Sequence, residues 1–93
     1  MNVIITGASK GLGKAIAEKF AAASHHLFLC ARNKDLLSST QQELEQKIPG
    51  SKIDIMAVDI SKKENAIAFG NYCLKKGVPD ILINNAGNFL IFK

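Results

Sequence analysis

The chain has 93 residues, is 47% hydrophobic and 22% charged, and carries a net charge of +4. That length allows one small domain at most, and the balance is that of a globular protein rather than a disordered one. No apolar run reaches the ~18 residues of a membrane span; the lysines are scattered through predicted helices, and one Tyr with no Trp leaves little to stack on bases, so a nucleic-acid surface is not expected either.

An apolar strand begins by Val3, so no signal or transit peptide is expected ahead of it. Cys30 and Cys73 form no Cys-x-x-Cys pair and no disulfide framework, which predicts reduced thiols and a cytoplasmic protein. Val3-Ile4-Ile5 is β-branched throughout and reads as a buried parallel strand. Thr6-Gly7-Ala8-Ser9-Lys10-Gly11-Leu12-Gly13 follows, and then a segment in which Leu12, Ile16 and Phe20 recur at helical spacing and predict an apolar helix face.

Strand, glycine-rich turn and helix together are the setting a phosphate-cradling loop requires. A side chain at Gly7 would hinder the tight turn, one at Gly11 would block a pyrophosphate, and Gly13 lets the helix pack down on the strand. The N–H groups of the first helical turn and the positive end of the helix dipole then face the anion. A glycine triplet alone also suits an ordinary βα turn; the strand before it and the helix after it favour nucleotide binding.

Leu27 to Ala31 reads as a second strand. His25 and His26 have no Cys or carboxylate at ligand spacing, so they read as loop or strand-edge residues and no metal site is expected. Asn33 stands at a helix N-cap with Asp35 in the first turn. Leu36, Leu37, Thr40, Leu44 and Ile48 keep helical spacing until Pro49-Gly50 ends the segment. Ile53 to Val58 is a third strand. Ser61-x-x-Glu64 is a capping box opening a third helix, with Ile67, Phe69, Gly70, Cys73 and Leu74 as a broad apolar face and Gly77 with Pro79 as its stop. Ile81-Leu82-Ile83 is a fourth strand running into Asn84-Asn85-Ala86-Gly87. The apolar tail from Asn88 to Lys93 has no obvious partner within the chain. This β-α-β-α-β-α-β alternation implies an α/β fold: a Rossmann-type parallel sheet with right-handed crossovers, helices on both faces and strand order 3-2-1-4.

The Gly-x-x-x-Gly-x-Gly spacing departs from the general Gly-x-Gly-x-x-Gly fingerprint. Thr6 to Gly13 matches in full the Thr-Gly-x-x-x-Gly-x-Gly motif of the short-chain dehydrogenases/reductases, and Asn84-Asn85-Ala86-Gly87 matches their second signature. The chain therefore resembles that family over essentially all its length. The resemblance implies cofactor contacts from Gly7, Ser9, Lys10, Gly11, Leu12 and Gly13. Many members that use NAD carry an acidic residue at the position of Ala31; here Ala31 is followed by Arg32, which with Lys10 suits the 2′-phosphate of NADP. NADP is thus the implied cofactor, with NAD less favoured, although both cations also fit solvated surface positions. Asp59 with the main chain of Ile60 is implied to hold the adenine, the plainer alternative for Asp59 being a helix cap that Ser61 can itself supply. Asn85, Ala86 and Gly87 are implied to approach the cofactor ribose, and Asn84 to tie the central strands.

Tyr72-x-x-x-Lys76 has the spacing of the family's catalytic pair but precedes the second signature instead of following it, and it lies on the third helix. No catalytic residue is therefore expected in these 93, which read as the N-terminal part of a single dinucleotide-binding domain, with the catalytic part after Lys93. A fourth strand left without its neighbour would be an exposed edge. For the full-length protein the resemblance implies an NADP-preferring oxidoreductase that moves hydride between nicotinamide and a small carbonyl or alcohol. It would act as a homo-oligomer, without membrane or nucleic-acid partners; the alternative is a non-catalytic NAD(P)-binding module or redox sensor.

Overall fold

The computed structural model describes residues 1–9, 11–77, 79–84 and 89–92. Helices α1 (Gly11–Ala22), α2 (Lys34–Lys47) and α3 (Lys63–Lys76) link strands β1 (Asn2–Thr6), β2 (His26–Ala31), β3 (Lys52–Ala57) and β4 (Ile81–Asn84). A fifth strand, β5 (Phe89–Phe92), closes the order β3-β2-β1-β4-β5. The first four strands pair parallel in the order expected.

Successive side chains of a strand point to opposite faces, so each strand feeds two cores. Val3, Ile5, Leu27, Leu29, Ile81 and Ile83 pack with Ala17 and Ala21 of α1 and Leu37 and Leu44 of α2. On the other face Ile4, Phe28 and Cys30 meet Phe69 and Cys73 of α3. Because both faces are covered, β1 and β2 are buried beyond their first residues, whereas β3, at the edge, is mostly half-exposed. Each fully buried large side chain contributes roughly 1.5–3 kcal/mol, so β1 and β2 carry much of the fold. Burial pushes the Cys30 thiol up to about 12 and the Cys73 thiol up to about 11; as thiolates are scarce at neutral pH, both act as small apolar groups. At the base of the sheet the Asn2 N–H donates to the Asp80 carboxylate at 2.8 Å and the Asp80 N–H to the Asn2 carbonyl at 2.9 Å, fixing the entry to β4 against β1.

Four expectations need correcting. The inner face of α1 is Gly13, Ala17 and Ala21, all buried, while Leu12 is 67% exposed and Ile16 and Phe20 pack only at the margin. A stripe of small residues lets the helix lie close on the sheet, and bulkier side chains are displaced to its flanks. On α3 the buried face narrows to Phe69 and Cys73, with Ile67 and Leu74 more than half exposed. The capping box does not form: Lys62 is the N-cap of α3 and makes no side-chain cap bond, because Ser61 donates both its N–H (3.0 Å) and its hydroxyl (2.6 Å) to Asp59 Oδ1. Such a local turn competes with the helix for the same polar groups. By contrast the Asn33 cap is present, accepting from the Leu36 N–H at 3.0 Å.

The fourth correction is at the other end. Residues Phe89–Phe92 are not unpartnered: β5 pairs antiparallel with β4, Ile83 opposite Leu90 and Asn84 opposite Phe89. β4 is therefore no edge, and the βα alternation ends in a reversal instead of another crossover.

Candidate functional site

The carboxyl ends of the parallel strands carry the loops that follow β1, β2 and β3, and ligands of such sheets bind outside those ends. The turn after β1 is shaped by two left-handed glycines, Gly7 at φ 63° and Gly11 at φ 61°. Between them Ala8 is fully buried and donates its N–H to the Cys30 carbonyl at 3.2 Å, so the loop is tied to the end of β2. Ser9 is half-buried and its carbonyl accepts from the Thr40 hydroxyl at 3.1 Å. Apart from its chain neighbours and its own helix turn, a Cβ placed on Gly11 would meet no described atom within 4 Å, so the start of α1 opens into free space. Gly13, buried, brings α1 down on the sheet, and Leu12 stands exposed at the rim. This glycine-rich backbone at a helix N-terminus, with open space beside Gly11, suits a phosphate or pyrophosphate group.

The next two strands end side by side: Ala31 is opposite Ala57, and the Val58 N–H extends the ladder to the Ala31 carbonyl at 2.9 Å. Arg32 follows as an exposed cation, with no carboxylate at Ala31 to compete for a ribose hydroxyl. Asp59 lies within electrostatic reach of it. The Ser61 hydroxyl and N–H hold the Asp59 carboxyl below its usual range, and the charges of Arg32 and Lys62 lower it further. Both hydrogen bonds from Ser61 fall on Oδ1, and the Asn65 side-chain amide binds the Asp59 carbonyl at 3.0 Å. Asp59 is thus an ionised carboxylate in a braced turn. Ile60 is half-buried and packs against the core under α3. The structure therefore brings Gly7, Ser9, Gly11, Leu12, Gly13, Arg32, Asp59 and Ile60 to one edge of the sheet. Lys10, Asn85, Ala86 and Gly87 lie outside the described residues.

Tyr72 and Lys76 are elsewhere, as their position on α3 requires. The Tyr72 hydroxyl is 3.5 Å from Asp54 Oδ1, and Lys76 Nζ is 4.0 Å from the same oxygen and 5.8 Å from the centre of the tyrosine ring. Burial, then the Asp54 charge, push the Tyr72 hydroxyl up, the wrong direction for a group that must part with a proton near neutral pH. Asp54 also reaches His26, with Nε2 2.7 Å from Oδ2, and the imidazole stacks on Phe28. No carboxylate stands at ligand spacing from His26 along the chain; pairing of β2 with β3 supplies one from 28 residues away. Among the described residues no three metal-ligating side chains converge. A cavity of about 430 Å³, lined by residues that include Asn2, His25 and Ser51, opens at the opposite end of the strands, away from the glycine loop.

A model of the family described as short chain dehydrogenase matches residues 1–91. The chain is 37% identical over 86 residues to the NADPH-dependent pterin aldehyde reductase of Arabidopsis thaliana, covering 91% of this chain and 34% of that protein. Among solved structures it superposes with a TM-score of 0.87 and 39% identity on the L-sorbose reductase of Gluconobacter frateurii in complex with NADPH and L-sorbose, covering 94% of this chain and 33% of the other. The alcohol dehydrogenase of Thermococcus sibiricus, complexed with 5-hydroxy-NADP, matches with a TM-score of 0.81 and 35% identity over 87% of this chain and 34% of its own. The chain spans about a third of the length of the curated relatives it matches. No described helix is long and apolar enough to cross a membrane.

Proposed function

The chain belongs to the short chain dehydrogenase family, and from that premise we propose that it is the cofactor-holding, N-terminal part of an NADP-preferring oxidoreductase. The observation that carries this reading is the loop after β1: left-handed Gly7 and Gly11, with open space where a Gly11 side chain would stand. Such a gap is what backbone–pyrophosphate approach needs. Gly7, Ser9, Lys10, Gly11, Leu12 and Gly13 would hold the pyrophosphate, Asp59 and Ile60 the adenine, and Asn85, Ala86 and Gly87 the ribose next to the nicotinamide. Arg32, with Lys10, would grip the 2′-phosphate, a group that the NADP(H)-bound relatives also accommodate. Bound there, the cofactor supplies the hydride; this chain's residues bind and orient it, and none of them gives or takes the proton. The substrate is a small carbonyl or alcohol and the site of action the cytosol, where buried, reduced Cys30 and Cys73 would be at ease. The working form we take to be a homo-oligomer.

The test is titration of the full-length protein with NADPH and NADH, followed by NADPH oxidation over a panel of aldehydes and ketones. Saturable binding with NADPH favoured, and turnover of at least one carbonyl, is the expected result. Binding without turnover on any panel member would make the protein a dinucleotide-binding module, and binding of neither cofactor would overturn the reading. In the same assay Tyr72→Phe should leave cofactor affinity and turnover within about twofold, as for any substitution away from the chemistry. Abolished turnover with cofactor affinity intact would place the proton donor on α3 instead.

A further inference from the structure

Thr40 is the one described helical residue with a polar side chain that is fully buried, 2% exposed in a face otherwise made of Leu37 and Leu44. Valine has its shape and would fill the space without a hydroxyl to satisfy. The hydroxyl lies 3.0 Å from the Leu36 carbonyl and 3.1 Å from the Ser9 carbonyl. It has a single proton for the two. One turn back along a regular α-helix, the Leu36 carbonyl already receives the main-chain N–H of Thr40. The Ser9 carbonyl lies in the loop ahead of α1, so the proton matters most there.

That bond belongs to a register between α2 and α1 with the loop before it. Thr40 meets Ser9, Glu43 meets Lys14 at 3.0 Å, and Lys47 meets Glu18 at 3.0 Å. The two ion pairs are substantially exposed and contribute little. The buried contact differs in kind, because it ends on the backbone between the two left-handed glycines. With the bond from the Ala8 N–H to Cys30 on its other side, this short stretch is held from β2 and from α2 at once. A loop that binds through its backbone gains affinity from being fixed beforehand.

Resting on the cofactor reading above, we infer that Thr40 is a positioning residue: it holds the glycine-rich loop in the dinucleotide-binding conformation through the Ser9 carbonyl, and touches no cofactor itself. Because it acts on the pyrophosphate end alone, it serves NADPH and NADH alike.

The experiment uses the full-length protein with Thr40→Val, Thr40→Ser and, as a control on the exposed pairs, Glu43→Gln. Two quantities are read: amide hydrogen exchange of Ala8, Ser9 and Gly11 without cofactor, and the dissociation constants of NADPH and NADH. Losing one neutral hydrogen bond should speed loop exchange by about fivefold and weaken both cofactors by a similar, equal factor. In steady state the cofactor KM should rise while kcat holds. Thr40→Ser should restore both quantities and Glu43→Gln should alter neither. If Thr40→Val fails to fold, Thr40→Cys, a close fit with only a weak donor, carries the same readings. Loop exchange and affinities at wild-type values in the variant would overturn the inference. Faster loop exchange in a protein whose wild type binds neither cofactor would instead overturn the cofactor reading and leave the loop tie standing.

Discussion

Gly11→Val in the full-length protein is expected to abolish measurable binding of NADPH and NADH together. Apart from its chain neighbours and its own helix turn, no described atom stands within 4 Å of the new Cβ, so the side chain meets no packed core. What it occupies is the space before the first turn of α1, where the pyrophosphate would approach. It also meets a backbone at φ 61°, which costs an L-residue roughly 1–2 kcal/mol and is most awkward for a β-branched one. Strain and occlusion therefore act together, and a single variant cannot separate them. Gly50 provides the control: its φ is 87°, its Cβ site is equally open, and it lies at the opposite end of the sheet, just before β3. Gly50→Val should lower thermal stability comparably while leaving both dissociation constants as they were. If Gly11→Val also keeps normal affinity, the loop is only a tight turn and its assignment as the phosphate cradle fails.

The loop's place in the fold was legible in the residues because every local preference around it agrees. Branched apolar strands, the Asn33 cap of α2 and glycine at left-handed positions all point to one βα repeat, and the parallel order of the first four strands follows from crossover handedness. Periodicity misled where distance decides the outcome. Leu12, Ile16 and Phe20 mark the bulky line of α1, but the helix sits close to the sheet and admits only Gly13, Ala17 and Ala21 beneath it. The Ser61-x-x-Glu64 pattern was real as a pattern and lost to Asp59, which accepts both Ser61 donors before the helix begins. Contacts made through strand register, such as His26 with Asp54, leave no trace at short spacing, and neither does the antiparallel return of β5. Thr40 did leave a signal: a hydroxyl in the middle of an apolar stripe. Its partner, 31 residues earlier, appears only when α2 is laid beside the glycine loop.

Arg32→Ala is expected to weaken NADPH by about tenfold or more while leaving NADH nearly unchanged, since a charge-assisted, two-pronged contact to a phosphate contributes roughly 1.5–3 kcal/mol. The selectivity follows from chemistry at the end of β2. Ala31 offers no carboxylate to accept the 2′-hydroxyl that distinguishes NADH, and the exposed guanidinium of Arg32 can serve only a cofactor that presents an anion there. Asp59 beside it sharpens the contrast, because an ionised carboxylate near Arg32 would repel a phosphate that the guanidinium did not neutralise. Removing Arg32 should therefore cost more than one lost contact. Salt gives an independent reading. The Debye length shrinks from about 30 Å at 0.01 M to about 3 Å at 1 M, so the preference of the wild type for NADPH should decline across that range while that of Arg32→Ala stays nearly flat. Equal weakening of both cofactors by Arg32→Ala, or a wild-type preference that ignores salt, would take the 2′-phosphate away from Arg32.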